Sequence, residues 1–281
     1  MFDFKFLSER VDYKGKQIQT YEYGNGEIPI LALPSYPNTG LYYLFVSKYY
    51  PNGNYKIISF DLPGWMGWSE NIWKDQTYDS NKYVEIAEAV LKAKKIKNFS
   101  LLGYSLSGSI ALRLAAKNKE RINKMVIMSP IIYNDLLKGE KMLRLIKLGK
   151  TLNANWVFMK YLNKTIARYK EGTKNNLDQT VFELYSSAVI NVNPTILVNS
   201  LYEAFTTDYS SFVKELEDIN HKILVVNFKS EPKLFKMQAR KLAEDIGGDC
   251  KLEMEGGHHE DFVLHPSAEK AKQVLSFLSD F

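Results

Sequence analysis

The run Leu101-Leu102-Gly103-Tyr104-Ser105-Leu106-Ser107-Gly108 offers the clearest chemistry in the chain. An apolar, strand-like stretch turns through Gly-x-Ser straight into a segment of helical composition. A serine hydroxyl is a weak nucleophile until a neighbouring base takes its proton. At the tip of a strand it points into a cleft that a histidine can reach. Small residues two places before and after such a serine let strand and helix pass closely, and Gly103 and Ser107 fill those places. The helix N-terminus behind it favours developing negative charge. A second group, Glu255-Gly256-Gly257-His258-His259-Glu260-Asp261, lies near the C-terminal end. Its residue types suit a metal, but adjacent residues of one loop rarely point at a single ion. With only His221 and His265 elsewhere, no metal site is expected.

The elements that would hold Ser105 are legible as short apolar runs. Ile30 to Leu33, Ile57 to Phe60, Phe99 to Leu102 and Lys124 to Met128 read as buried parallel strands. Tyr83, Ile86, Ala87, Val90 and Leu91 fall at helical spacing after the capping residues Asp79 and Ser80. Ser107 to Lys117 must also be helical, because parallel strands need a crossover. The alternation returns with a strand over Ile223 to Phe228, a helix over Leu234 to Ile246, a strand over Lys251 to Met254 and a helix over Ala268 to Phe281. Gln17 to Tyr23 and the stretch before Gly15 read as an antiparallel hairpin on the sheet edge.

Residues 134 to 215 separate the two α/β stretches and contain no convincing strand. There Trp156, Phe158, Tyr161, Leu162, Ile166 and Tyr169 share one helical face, and Pro194 marks a further helix start. Neither half has enough strands to bury its own sheet faces, so one sheet with an inserted helical lid is the economical arrangement. The expectation is an α/β core over 1–133 and 216–281, mostly parallel and flanked by helices, with an all-helical lid over 134–215.

Composition narrows the partners. Of 281 residues, 45% are hydrophobic and 25% charged, the mix of a folded globular chain. The net charge of +5 is dispersed, and no basic stripe interleaved with aromatics calls for nucleic acid. Cys250 is the only cysteine, so an internal disulfide is impossible and a reducing compartment is the simpler setting. Charges within Met1 to Arg10 break any signal-like apolar stretch, and no run of about 18 uncharged apolar residues is present to span a bilayer. A soluble, cytoplasmic protein is the default expectation.

Taken in order, the motifs resemble those of the α/β-hydrolase family. Pro29 to Pro37 resembles its strand and oxyanion loop, Asp61-Leu62-Pro63-Gly64-Trp65-Met66-Gly67-Trp68-Ser69 its next turn, and Gly103 to Gly108 its nucleophile elbow. The resemblance implies a base in the loop after the last strand. His258 follows the glycine pair and is preferred, while counting back from Pro266 favours His259. It implies an acid after the preceding strand, where Glu231-Pro232 stands, with Asp135 as the rival. It also implies an oxyanion hole made by the N–H groups of Tyr36 and Leu106. Departures stand out: Ser107 replaces the last glycine of Gly-x-Ser-x-Gly, Pro34-Ser35 replaces the oxyanion loop's usual His-Gly, and the turn after Asp61 holds one residue more than the family pattern between its glycines.

The function implied is cofactor-free cleavage of a carboxylic ester or related acyl bond through an acyl-enzyme, with a small or medium apolar acyl ester favoured and amide, thioester or peptide cleavage left open; Tyr42, Tyr43, Trp65 and Trp68 are candidate walls of an acyl pocket. A lyase or C–C hydrolase with the same triad is the alternative enzyme. A non-catalytic ligand-binding relative is the alternative outside enzymes.

Overall fold

Val, Ile, Leu and Met runs of four to seven residues cannot face water on either side, so they collect in the middle of a sheet covered on both faces. A computed structural model describes residues 6–36, 38–73, 78–137, 141–151, 187, 192–247, 251–255, 259, 262 and 267–280. Its strands are β1 Phe6–Tyr13, β2 Lys16–Tyr23, β3 Ile28–Ala32, β4 Tyr55–Phe60, β5 Phe99–Tyr104, β6 Ile122–Met128, β7 Ile223–Phe228 and β8 Lys251–Met254. They form one eight-stranded sheet in the order β1-β2-β4-β3-β5-β6-β7-β8. The β1–β2 hairpin is antiparallel and joins β4 antiparallel at the edge, while every other pairing is parallel.

The helices are α1 Leu44–Lys48, α2 Ser80–Ala93, α3 Leu106–Lys117, α4 Lys141–Thr151, α5 Pro194–Thr206, α6 Ser210–Lys214, α7 Lys233–Ile246 and α8 Ala268–Ser279. Local signals set their starts. The Asp79 carboxylate accepts the Asn81 N–H at 2.8 Å, and the Asn193 side chain accepts those of Thr195 and Ile196 just before Pro194. Two apolar clusters sandwich the sheet. One joins α2, α3, α5 and α7 to one face; the other joins α1 and α8 to the opposite face. No helix among the described residues is long and apolar enough to cross a membrane.

Within 134–215, the described residues form α4, α5, α6 and a short 3-10 turn, Asp135–Leu137. The apolar face over Trp156 to Tyr169 lies outside the described residues. α5 is part of the main core: Ile196, Leu197, Val198, Ala204 and Phe205 are buried there. Its cap residue Asn193 donates its N–H to the Gly64 carbonyl at 2.9 Å.

The close approach of β5 to α3 depends on Gly103. A Cβ there would lie 2.5 Å from Ala111 Cβ, 2.9 Å from the Ser107 carbonyl oxygen and 3.0 Å from Gly108 Cα. Two of these three neighbours are backbone, which a rotamer change cannot move. Gly103→Ala should therefore push α3 off the strand and lower stability by about 1–3 kcal/mol, measured by urea unfolding. Wild-type stability in that variant would show that the helix gives way freely.

Candidate active site

Ser105 stands between the end of β5 and the first residue of α3, with φ 57° and ψ −122°. A left-handed backbone at a non-glycine residue stores of the order of 1–3 kcal/mol and persists only where its surroundings enforce it. Here they do. The Ser105 N–H donates to the Met128 carbonyl at 2.9 Å, extending the parallel ladder past the strand end, and its own carbonyl accepts from Gly108 N–H at 3.0 Å. The same device repeats along the carboxyl edge of the sheet. Ser129 N–H donates to the Val226 carbonyl at 2.8 Å, and Lys229 N–H to that of Met254 at 3.0 Å. Ser129 also has a positive φ, of 47°. The loops after β5, β6 and β7 are thereby aligned at the edge where open α/β sheets bind ligands.

The β7 loop carries Glu231, whose side chain is wholly buried. Its Oε2 accepts the Ser129 hydroxyl at 2.9 Å and the Phe228 N–H at 3.2 Å. Its Oε1 lies 2.5 Å from Nδ1 of His259, and Nε2 of that ring lies 2.7 Å from Ser105 Oγ. An ionised carboxylate only accepts, so Nδ1 carries the imidazole proton and Nε2 is left with the lone pair that faces the serine hydroxyl. The imidazole also stacks on Phe235 of α7 at 3.9 Å between centroids and on Tyr104 at 5.5 Å. Two aromatic faces and two hydrogen bonds leave it little freedom to rotate.

Residues 28–266, which include the mostly parallel sheet and the loops at its carboxyl edge, match the family model of the alpha/beta hydrolase fold. The chain belongs to that family. Over 107 residues it is 27% identical to the AB hydrolase superfamily protein YisY of Bacillus subtilis, a match covering 38% of this chain and 38% of that protein. The chain thus aligns with well under two thirds of that relative. In structure it is similar to a bromoperoxidase from Bacillus anthracis, with TM-score 0.72 and 20% identity over 98% of this chain and 100% of the other. It is also similar to an esterase from Exiguobacterium antarcticum, with TM-score 0.69 and 14% identity over 97% and 99%. At such identities the likeness to these structures is one of fold alone.

Of the residues singled out in the sequence, Ser105 and Glu231 are joined through His259. His258 lies outside the described residues, as do Pro37 and Pro266, so the hydrogen-bonded imidazole on the page is that of His259. Asp135 is exposed on its 3-10 turn, and none of the hydrogen bonds around His259 involves it. Leu106 opens α3, where backbone N–H groups have no partner within the helix. Tyr36 follows β3 in a loop on the same sheet edge and donates its hydroxyl to the Leu197 carbonyl of α5 at 3.2 Å. Of the candidate pocket walls, Tyr43 and Trp65 are buried in the core: the Tyr43 hydroxyl donates to the Leu33 carbonyl at 2.7 Å, and the Trp65 ring packs edge-on against that of Tyr36. Trp68 packs against the cluster on the opposite sheet face, and the side chain of Tyr42 lies outside the described residues.

Ser129 and Phe235 escaped the sequence reading. Ser129 had a signal, since a serine before Pro130 closes a buried strand one place along from the elbow. Phe235 had none, because an aromatic at a helical core position looks like packing. The Glu231 carboxylate accepts from three donors, and a glutamine amide cannot present two acceptor oxygens. Glu231→Gln should lower turnover by two or more orders of magnitude by upsetting the imidazole tautomer, with a folded near-ultraviolet circular dichroism spectrum retained. An unaltered kcat would remove Glu231 from the relay.

Proposed function

We propose that this chain is a serine hydrolase that cleaves a carboxylic ester through an acyl-enzyme. The observation that carries the reading is the imidazole of His259, hydrogen-bonded at one nitrogen to buried Glu231 and at the other to Ser105. In this scheme Nε2 takes the Ser105 proton as Oγ attacks the ester carbonyl carbon, and the carbonyl electrons move onto oxygen. The N–H groups of Tyr36 and Leu106 receive that oxyanion, and the α3 N-terminus adds favourable potential. Collapse expels the alcohol oxygen, which takes the proton back from His259. Water then attacks the acyl group, gives its proton to Nε2, and the acid leaves as Ser105 regains its hydrogen. The sum is ester plus water to acid plus alcohol, and no cofactor enters.

Glu231 stays ionised throughout and offsets the positive charge of the imidazolium. The stacked ring of Phe235 adds a further face suited to a cation. Residues 134–215 are read as a helical cover, of which α5 is anchored to the core. Small or medium apolar acyl esters fit this reading. The assembled relay weighs against a purely ligand-binding role.

A fluorophosphonate probe should label the intact protein at one site and fail on Ser105→Ala. With p-nitrophenyl esters, His259→Ala should lower kcat at least a thousandfold while His258→Ala keeps most of it. Absent labelling sinks the proposal, and equal losses at both histidines sink the assignment of the base. Recovery of products other than acid and alcohol would move the reaction to the C–C cleaving class.

A further inference from the structure

Three consecutive carbonyls at the end of β3 each receive a side-chain hydroxyl from a different part of the core. Ser59 of β4 donates to Ala32 at 2.6 Å. Tyr43 donates to Leu33 at 2.7 Å. Tyr83 of α2 donates to Pro34 at 2.9 Å. Ser107, two residues after the proposed nucleophile, accepts the Tyr104 N–H at 2.9 Å, and its single proton lies between the carbonyls of Tyr104 at 2.9 Å and Leu33 at 3.1 Å. Ser59, Tyr43, Tyr83 and Ser107 are all inaccessible to solvent.

The chain then turns. Asn38 N–H closes on the Ser35 carbonyl at 2.6 Å. On the far side of the turn, buried Asp61 accepts the Thr39 hydroxyl at 2.6 Å and the Gly40 N–H at 2.9 Å on one oxygen. Its other oxygen accepts the Tyr21 hydroxyl at 2.7 Å and the Trp68 N–H at 2.8 Å. The segment that carries Tyr36 is thus fastened at both ends, by donated hydroxyls where it enters and by one carboxylate where it leaves.

We propose that Tyr83 and Ser107 are positioning residues for the oxyanion: with Tyr43, their hydroxyls fix the Leu33 and Pro34 carbonyls and so set the course of the backbone that presents the Tyr36 N–H. Two of the departures from the family pattern then explain one another. The loop lacks His-Gly, and the elbow carries at position 107 a hydroxyl that a glycine could not supply, placed on the loop's first carbonyl. Burial pushes the hydroxyls of Tyr43 and Tyr83 far above the usual tyrosine range, so both remain donors at every working pH. The inference rests on the serine hydrolase reading and extends it to residues that never touch substrate.

The test uses Tyr83→Phe and Ser107→Ala, which remove one hydroxyl each, and Tyr78→Phe as control. Tyr78 is buried in the same aromatic cluster, and its hydroxyl has no hydrogen-bond partner among the described residues. On a p-nitrophenyl ester, each of the first two variants should lose about 10- to 100-fold in kcat with KM changed less than about threefold. An alkyl boronic acid, which forms a tetrahedral adduct on serine, should bind more weakly by a similar factor. The control should match wild type in both. If Tyr83→Phe fails to fold, as judged by its thermal transition, Ser107→Ala carries the test alone. Wild-type kcat and boronic acid affinity in the folded variants would overturn the inference while leaving the hydrolase reading intact. A wild type that neither labels with fluorophosphonate nor turns over ester would overturn both.

Discussion

One proton fixes the chemistry open to this fold. Because the Glu231 carboxylate is buried and only accepts, the Nδ1 of His259 must hold hydrogen, and the opposite nitrogen must be basic toward Ser105. Reverse that tautomer and the serine faces an N–H, with nothing to take its proton. Ser129 and Phe228 also donate to the buried carboxylate, so its second oxygen is satisfied away from water. Removing any one of these donors leaves charge less compensated in a place where water cannot help.

Holding that line of atoms demands a rigid frame, and the sheet supplies one. Ser105 and Ser129 both have left-handed backbones, a conformation that free chain avoids. Each is forced by an amide that completes the ladder to the neighbouring parallel strand, β6 for Ser105 and β7 for Ser129. The strain is shared with the central strands, which are buried on both faces and cannot relax without opening the core. His259 lies on no strand; stacking with the rings of Phe235 and Tyr104 helps to hold it instead.

What could be read from sequence follows from how local each signal is. Strands β3 to β8 and the elbow announce themselves through apolar runs and a Gly-x-Ser turn, because strand burial and the close passage at Gly103 are decided by neighbours in the chain. Glu231 was legible for a similar reason, standing just past the end of β7. The histidine was harder: His258 and His259 are adjacent, and only the path of the β8 loop decides which ring reaches Ser105. The aromatic residues were ambiguous for a different cause. A tyrosine lining a pocket and one spending its hydroxyl on a distant carbonyl have the same local sequence, so the work of Tyr43 and Tyr83 is invisible until residues from four elements meet.

The inserted helices are tied to the site through the same kind of contact. Tyr36, whose N–H is assigned to the oxyanion, gives its hydroxyl to the Leu197 carbonyl of α5. The other end of α5 is fixed by Glu203, which accepts the Ser80 hydroxyl and N–H; Ser80 Oγ in turn accepts from Arg113 at 2.7 Å. Partial burial raises the Glu203 carboxyl above its ordinary range. The helix is held at one end by the Asn193 N–H on the Gly64 carbonyl, at the other by the Ser80 to Glu203 hydrogen bonds, and along its length by its buried apolar face. A displacement of α5 would therefore have to break the Tyr36 to Leu197 hydrogen bond or carry the loop after β3 with it.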